Sequence, residues 1–125
     1  MSVIQKEILL AGSRGKLKSL ALFDNGATYS CIKPEIAERL GTPEPLPEPM
    51  TFGTADSGTK VTAGSRIALN FHINGCRLSD EFMIISSLSE NVIIGAKTLQ
   101  AWRIKLDFEN DEVIVDPRVT ELRLI

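Results

Sequence analysis

The sequence predicts an all-β domain, a small barrel or sandwich carrying two short helices. Short β-branched and apolar runs recur along the chain, and clusters of Gly, Asn, Asp and Ser separate them. No period of roughly 20 to 50 residues repeats, so a solenoid or propeller does not fit. At 125 residues the chain suffices for one domain with its own core and is too short for two ordinary ones, so residues 1–125 read as a single domain. Hydrophobic residues make up 43% and charged residues 24%, which excludes a disordered, collagen-like or coiled-coil chain.

Val3 to Leu10 and Leu17 to Phe23 have strand character, and Ala11 to Gly15 connects them as a hairpin. Lys33 to Gly41 reads as a two-turn helix. Ser30 or Lys33 is in reach as a cap, Pro34 comes early, Ile36 and Leu40 share a face and Gly41 stops it. Thr42 to Pro49 holds four prolines in eight residues, which predicts an extended surface connection without ladder donors. Met50 to Gly64 reads as a projecting hairpin with few large apolar residues, turning at Ala55-Asp56-Ser57-Gly58. Ile67 to Ile73 and Arg77 to Ile85 flank Asn74-Gly75, a pair that readily takes the positive φ angles of a two-residue hairpin turn. Asn91 to Gly95 is a buried-strand run, and Ala96 to Trp102 a short helix. Arg103 to Phe108 and Glu112 to Val115 form a last hairpin. The tail from Val119 to Ile125 alternates like a strand, and such an end must pair internally, be blunted or join a partner chain.

Several chemistries drop out. Net charge is −2 and no basic run exceeds Lys16 and Lys18, so no nucleic-acid surface is expected. No apolar run approaches the ~20 residues of a membrane span, and Glu7 interrupts the N-terminal apolar stretch, so a cytoplasmic protein without membrane contact is expected. Cys31 and Cys76 lack metal-ligand spacing and His72 is the single histidine, so neither a metal nor a cofactor is expected. His72 reads as a strand residue, which removes Ser-His and Cys-His nucleophiles. Tyr29 and Trp102 read as core residues.

The informative stretch is Ala21 to Ile32, where Asp24 follows an apolar strand directly and Asn25-Gly26-Ala27 follows the acid. One reading is a plain turn, with the Asp24 side chain capping it inside a purely structural β-domain. The wider segment favours another. Ala21 to Ile32 resembles the active-site signature of retropepsin-like aspartic proteases, in which apolar residues precede Asp-Thr-Gly-Ala or Asp-Ser-Gly-Ala. Asn91-Val92-Ile93-Ile94-Gly95 resembles the family's second landmark, an apolar pair before the Gly that opens a short C-terminal helix. The resemblance spans most of Leu17 to Asp116.

That resemblance implies a small closed barrel of the retropepsin-like type, homodimeric, acting as an aspartic endopeptidase on extended peptides. It implies a catalytic role for Asp24, support of the acid pair by Asn25 and Gly26, and a substrate channel lined by Ala27 and Thr28. Residues 50–64 become a flap over the substrate, with Gly53 and Gly58 as flexible points and Ala55, Asp56 and Ser57 at its tip. Ile93, Ile94 and Gly95 pack beneath the acid loop. Position 25 departs from the family, which has Thr or Ser there, so a weakened or inactive peptide-binding module of the same fold is the alternative.

Aspartic proteolysis needs two carboxylates that share a proton, one acting as base on a water and one as acid toward the carbonyl. No second Asp-x-Gly-Ala follows an apolar strand in this sequence. Asp107 reads as a hairpin-flanking acid, and Asp56 lies at the flap tip. The second carboxylate is therefore expected from a second copy across a two-fold axis beside Asp24. The resemblance implies that the tail, Val119 to Ile125, joins an intersubunit sheet, the alternative being pairing within its own barrel.

Overall fold

The structure, a computed structural model, describes residues 3–53 and 60–124. β1 (Ile4–Gly12) and β2 (Gly15–Phe23) pair antiparallel in full register around the two-residue turn Ser13-Arg14. β3 (Cys31–Ile32) leads into α1 (Pro34–Leu40), then β4 (Glu44–Gly53), β5 (Lys60–Ile73), β6 (Cys76–Ile84) and β7 (Val92–Ile94). α2 (Ala96–Ala101), the hairpin β8 (Lys105–Asp107) and β9 (Glu112–Ile114), and a 3₁₀ turn at Pro117–Thr120 complete the chain.

The main sheet runs β1-β2-β7-β3-β6-β5-β4, and β5 also pairs with β1 through Leu10↔Phe71. Six strands therefore close into a barrel, and β4 lies outside the ring against β5. Alternation along β5 turns Ile67, Leu69, Phe71 and Ile73 inward to meet Ile4, Ile8 and Leu10 of β1, Phe23 of β2 and Phe82 of β6. Phe71 and Phe82 meet edge to face at 6.1 Å between ring centroids. Each such fully buried side chain contributes about 1.5–3 kcal/mol of transfer free energy, and this interior holds the barrel.

The β5–β6 turn takes the expected form. Asn74 and Gly75 have φ of 51° and 78°, and Ile73 pairs with Cys76. α1 starts with Pro34 at its first position and buries Ala37 and Leu40. Lys33 stands at the cap position without a side-chain cap bond, and Ser30 turns to other partners. His72 lies on β5 opposite Arg77, and Cys31 and Cys76 are buried free thiols. No helix among the described residues is long and apolar enough to cross a membrane.

The expectation for the proline-rich stretch is corrected, and the described part of the tail forms no strand within this single chain. The proline-rich stretch from residue 42 to 49 was expected to make no ladder, but β4 begins within it and pairs Glu44↔Arg66 and Pro45↔Ser65. The register then shifts before Met50↔Ala63, so the prolines sit across an irregularity on an edge strand, where a missing N–H donor costs least. The tail is not a strand within the described residues. Val119 belongs to the 3₁₀ turn, which Asp116 caps by accepting the Arg118 N–H at 3.0 Å, and the residues beyond it have no ladder. Leu122 and Leu124 are 73% and 102% exposed, so nothing in the described chain covers them.

Candidate active site

β2 ends on buried Phe23 and the chain turns at once. Asp24 is half-buried, Asn25, Gly26 and Thr28 are exposed and Ala27 is half-buried. The Gly26 N–H donates to Asp24 Oδ1 at 2.8 Å and the Ala27 N–H donates to the Asp24 carbonyl at 3.2 Å. Asp24 thus caps its own turn, as the plain turn reading expects.

The framework around the turn goes further than a turn requires. β7 lies between β2, to which it runs parallel with Phe23↔Ile94, and β3, to which it runs antiparallel with Cys31↔Ile93. The acid loop leaves the sheet on one side of β7 and returns on the other. The Asp24 N–H donates to the Ile94 carbonyl at 3.0 Å, which fixes the backbone of the acid to that central strand. The first N–H groups of α2, which have no partner inside their own helix, donate back to the loop: Ala96 to the Ala27 carbonyl at 2.6 Å and Lys97 to the Thr28 carbonyl at 3.0 Å. Gly95 makes this approach possible, because a Cβ there would lie 2.5 Å from the Tyr29 carbonyl oxygen and 2.8 Å from that of Ala27. Ile94 is buried beneath the loop and Ile93 half-buried.

A second apolar cluster adjoins the loop. Cys31, Ala63, Met83 and Ile85 are its buried members, and Met50, Phe52 and Val61 pack on them from the arms of the β4–β5 hairpin. Those arms pair Met50↔Ala63, Thr51↔Thr62, Phe52↔Val61 and Gly53↔Lys60, so the hairpin expected over residues 50–64 has its stem. The few large apolar residues of the hairpin, Met50, Phe52 and Val61, anchor the stem. Gly53 ends β4 in open space, and Ala55, Asp56, Ser57 and Gly58 lie outside the described residues. Tyr29 is half-buried rather than core; it packs edge to face on Phe52 at 5.5 Å, with Lys97 Nζ 4.4 Å from its ring centroid. Burial in this cluster pushes the Cys31 thiol up to about 11. Trp102, also half-buried, caps α2 and donates its indole N–H to the Ser79 carbonyl at 2.8 Å.

Other acids are occupied elsewhere. Asp107 accepts the Asn110 side-chain amide at 2.8 Å and its backbone N–H at 3.2 Å; these bonds hold its carboxyl below the usual range and make it the cap of the β8–β9 turn. Asp116 is held down to about 2 by hydrogen bonds from Arg118. Among the described residues no group of His, Cys, Asp and Glu could hold a metal ion. Sequence reasoning missed one group at the site: Ser30, Thr98 and Asp80, which form a hydrogen-bonded row beside the loop. Their separations of 68 and 18 residues leave no local pattern to read.

Comparison with known proteins agrees with this geometry. A family model described as retroviral aspartyl protease matches residues 1–121. The retroviral protease-like domain of Ddi1 from Leishmania major superposes with a TM-score of 0.68 at 19% identity, covering 92% of this chain and 90% of that one. The EIAV protease complexed with the inhibitor HBY-793 gives 0.64 at 17% identity, covering 85% and 93%. At such identities the likeness speaks for the fold. No curated protein sequence matches. The family match over nearly the whole chain, the closed six-stranded barrel and the acid turn keyed into β7 and α2 together show that the chain belongs to the retroviral aspartyl protease family.

Proposed function

We propose that the protein is an aspartic endopeptidase that works as a homodimer, hydrolysing extended peptides between two copies of Asp24. The observation that carries this reading is a half-buried acid on a turn whose backbone is bound on both sides to fixed elements, with no second acid turn of its kind among the described residues. Two-fold symmetry supplies what one chain lacks, since an isologous contact places each residue opposite its own copy.

In that arrangement one Asp24 carboxylate takes a proton from a water as the water oxygen bonds to the peptide carbonyl carbon. The Asp24 of the second copy, carrying the shared proton, gives it to the carbonyl oxygen. The tetrahedral adduct then collapses: the C–N bond breaks as the nitrogen takes the proton held by the first Asp24, a hydroxyl of the diol gives its proton to the Asp24 of the second copy, and a carboxylic acid forms. Gly26 supports the base by its N–H bond to Oδ1, and Asn25, exposed beside it, can donate and accept across the axis. Ala27 and Thr28 lie where a substrate backbone would pass. The β4–β5 stem would cover it from above, pairing with it as an added strand and excluding water.

Asp24→Asn should leave the fold and assembly intact and abolish cleavage of a peptide library; full residual hydrolysis would end the mechanism. Asn25 supports a second reading, a peptide-binding module that does not cut. Asn25→Thr separates the two. A large gain in hydrolysis marks a weakened enzyme, whereas peptide binding without cleavage in both forms marks a binding module.

A further inference from the structure

Ser30, Thr98 and Asp80 come from three different elements: the end of the acid loop, α2 and β6. Ser30 and Thr98 are 2% and 1% exposed, so each hydroxyl needs a partner within the protein. Three contacts supply them. The Gly95 N–H donates to Ser30 Oγ at 3.0 Å, Ser30 Oγ and Thr98 Oγ1 lie 2.6 Å apart, and Thr98 Oγ1 donates to Asp80 Oδ2 at 2.5 Å.

The directions follow from proton counting. An amide N–H only donates, and the Asp80 carboxylate only accepts. Thr98 spends its one proton on Asp80, so it must accept from Ser30. Ser30 spends its proton on Thr98 while accepting from Gly95. The row therefore runs one way, from the Gly95 amide to the Asp80 carboxylate, and each bond polarises the next. Gly95 is the residue whose missing Cβ admits the acid loop, and the next two amides bind that loop directly. The far end of the row is also fixed. The Glu81 N–H donates to Asp80 Oδ1 at 2.7 Å, and Trp102 ties the end of α2 to neighbouring Ser79. Ser30 is bound to β6 a second time by the Met83 N–H, which donates to its carbonyl at 2.9 Å.

We propose that Asp80 is a positioning residue for the acid loop, acting through Thr98 and Ser30 on the Gly95 amide and so on the placement of Asp24. In this role Asp80 acts through other side chains and does not touch the substrate. It holds one orientation of two buried hydroxyls and thereby fixes the junction of β7, α2 and the loop. The catalytic part of this proposal rests on the proposed endopeptidase reading; the structural part does not.

The test uses the full chain. Thr98→Val keeps the shape and removes the central hydroxyl, Thr98→Ser keeps the hydroxyl, and Asp80→Ala removes the acceptor at a half-buried position where the fold is least at risk. Exchange of the Gly95 amide should quicken by about tenfold or more in Thr98→Val and Asp80→Ala and return to the wild-type rate in Thr98→Ser. Peptide hydrolysis should lose about 10- to 100-fold in kcat with KM within about twofold, because misplacement of a reacting group falls on the chemical step. Wild-type Gly95 exchange in both disruptive variants, or unchanged kcat beside quickened exchange, overturns the proposal. Should the wild type hydrolyse nothing, the endopeptidase reading falls, and Gly95 exchange still decides whether the row holds the loop.

Discussion

A methyl group at position 95 would have to displace the Tyr29 or Ala27 carbonyl, and both belong to the acid loop. Gly95→Ala is therefore expected to cost roughly 1–3 kcal/mol, as overpacked sites do, read as a lower denaturant midpoint. Its hydrolysis should fall further than its stability, since the displaced segment carries Asp24. At this scale the sequence was highly legible where a residue's role is local. Asp24 stands at a bend after an apolar strand, as its neighbours predict, and Gly95 lies against the acid loop, a placement drawn from the family resemblance rather than from local pattern. Ser30 was read as a possible helix cap and proved to be a buried hydroxyl shared between Gly95 and Thr98, because its partners come from far along the chain. Cys31 adds a pH effect. Its thiol ionises near 9.0 when unperturbed and is pushed up to about 11 in the fold, so the folded state holds that proton longer than the unfolded chain. The associated stability is whole below pH 9 and is lost as pH rises from 9 toward 11. Wild type should therefore lose stability more steeply than Cys31→Ala across that alkaline window, as measured by thermal melts.

Among the elements, the limits of the hairpins were not legible: β5 runs unbroken from Lys60 to Ile73 across the expected gap after Gly64, and the β1–β2 turn takes two residues rather than five. The hairpins themselves were, because turn chemistry is written in adjacent residues. Gly75 is the sharpest case: its φ of 78° is strained for any residue with a Cβ, so Gly75→Ala should lower stability by about 1–2 kcal/mol without altering the site. Asn74→Ala should cost something comparable for a different reason, since its amide also donates to the Val113 carbonyl at 2.7 Å and ties this hairpin to β9. β4 was harder to read. Proline removes a donor and so argues against a strand, yet an edge strand shows one side to solvent and tolerates the loss, and whether a strand is central or at an edge is a property of the sheet. The tail is expected to pair with a second copy, which lies outside this single chain. Its alternation of Leu122 and Leu124 with charges suits a strand, but a strand needs a neighbour, and the described chain offers none.

For the whole molecule, barrel closure was legible only as a class. Which strand meets which depends on long-range pairing such as Leu10↔Phe71, and it was the family resemblance that narrowed barrel or sandwich to a closed barrel. Dimerisation is the proposal on which the chemistry depends. Sedimentation should show a dimer at micromolar concentration and hydrolysis per chain should rise with protein concentration; a monomer that still hydrolyses peptides would refute the shared-acid mechanism. Hydrolysis should also favour mildly acidic solution, because the pair must retain one proton, and a rate that keeps climbing well above neutrality would contradict it. The placement of β4 has a mechanical consequence. The hoop is complete without it, so parting that strand from β5 would cost one ladder and the packing of Met50 and Phe52 but break no ring. Local opening at that edge therefore leaves the barrel itself whole.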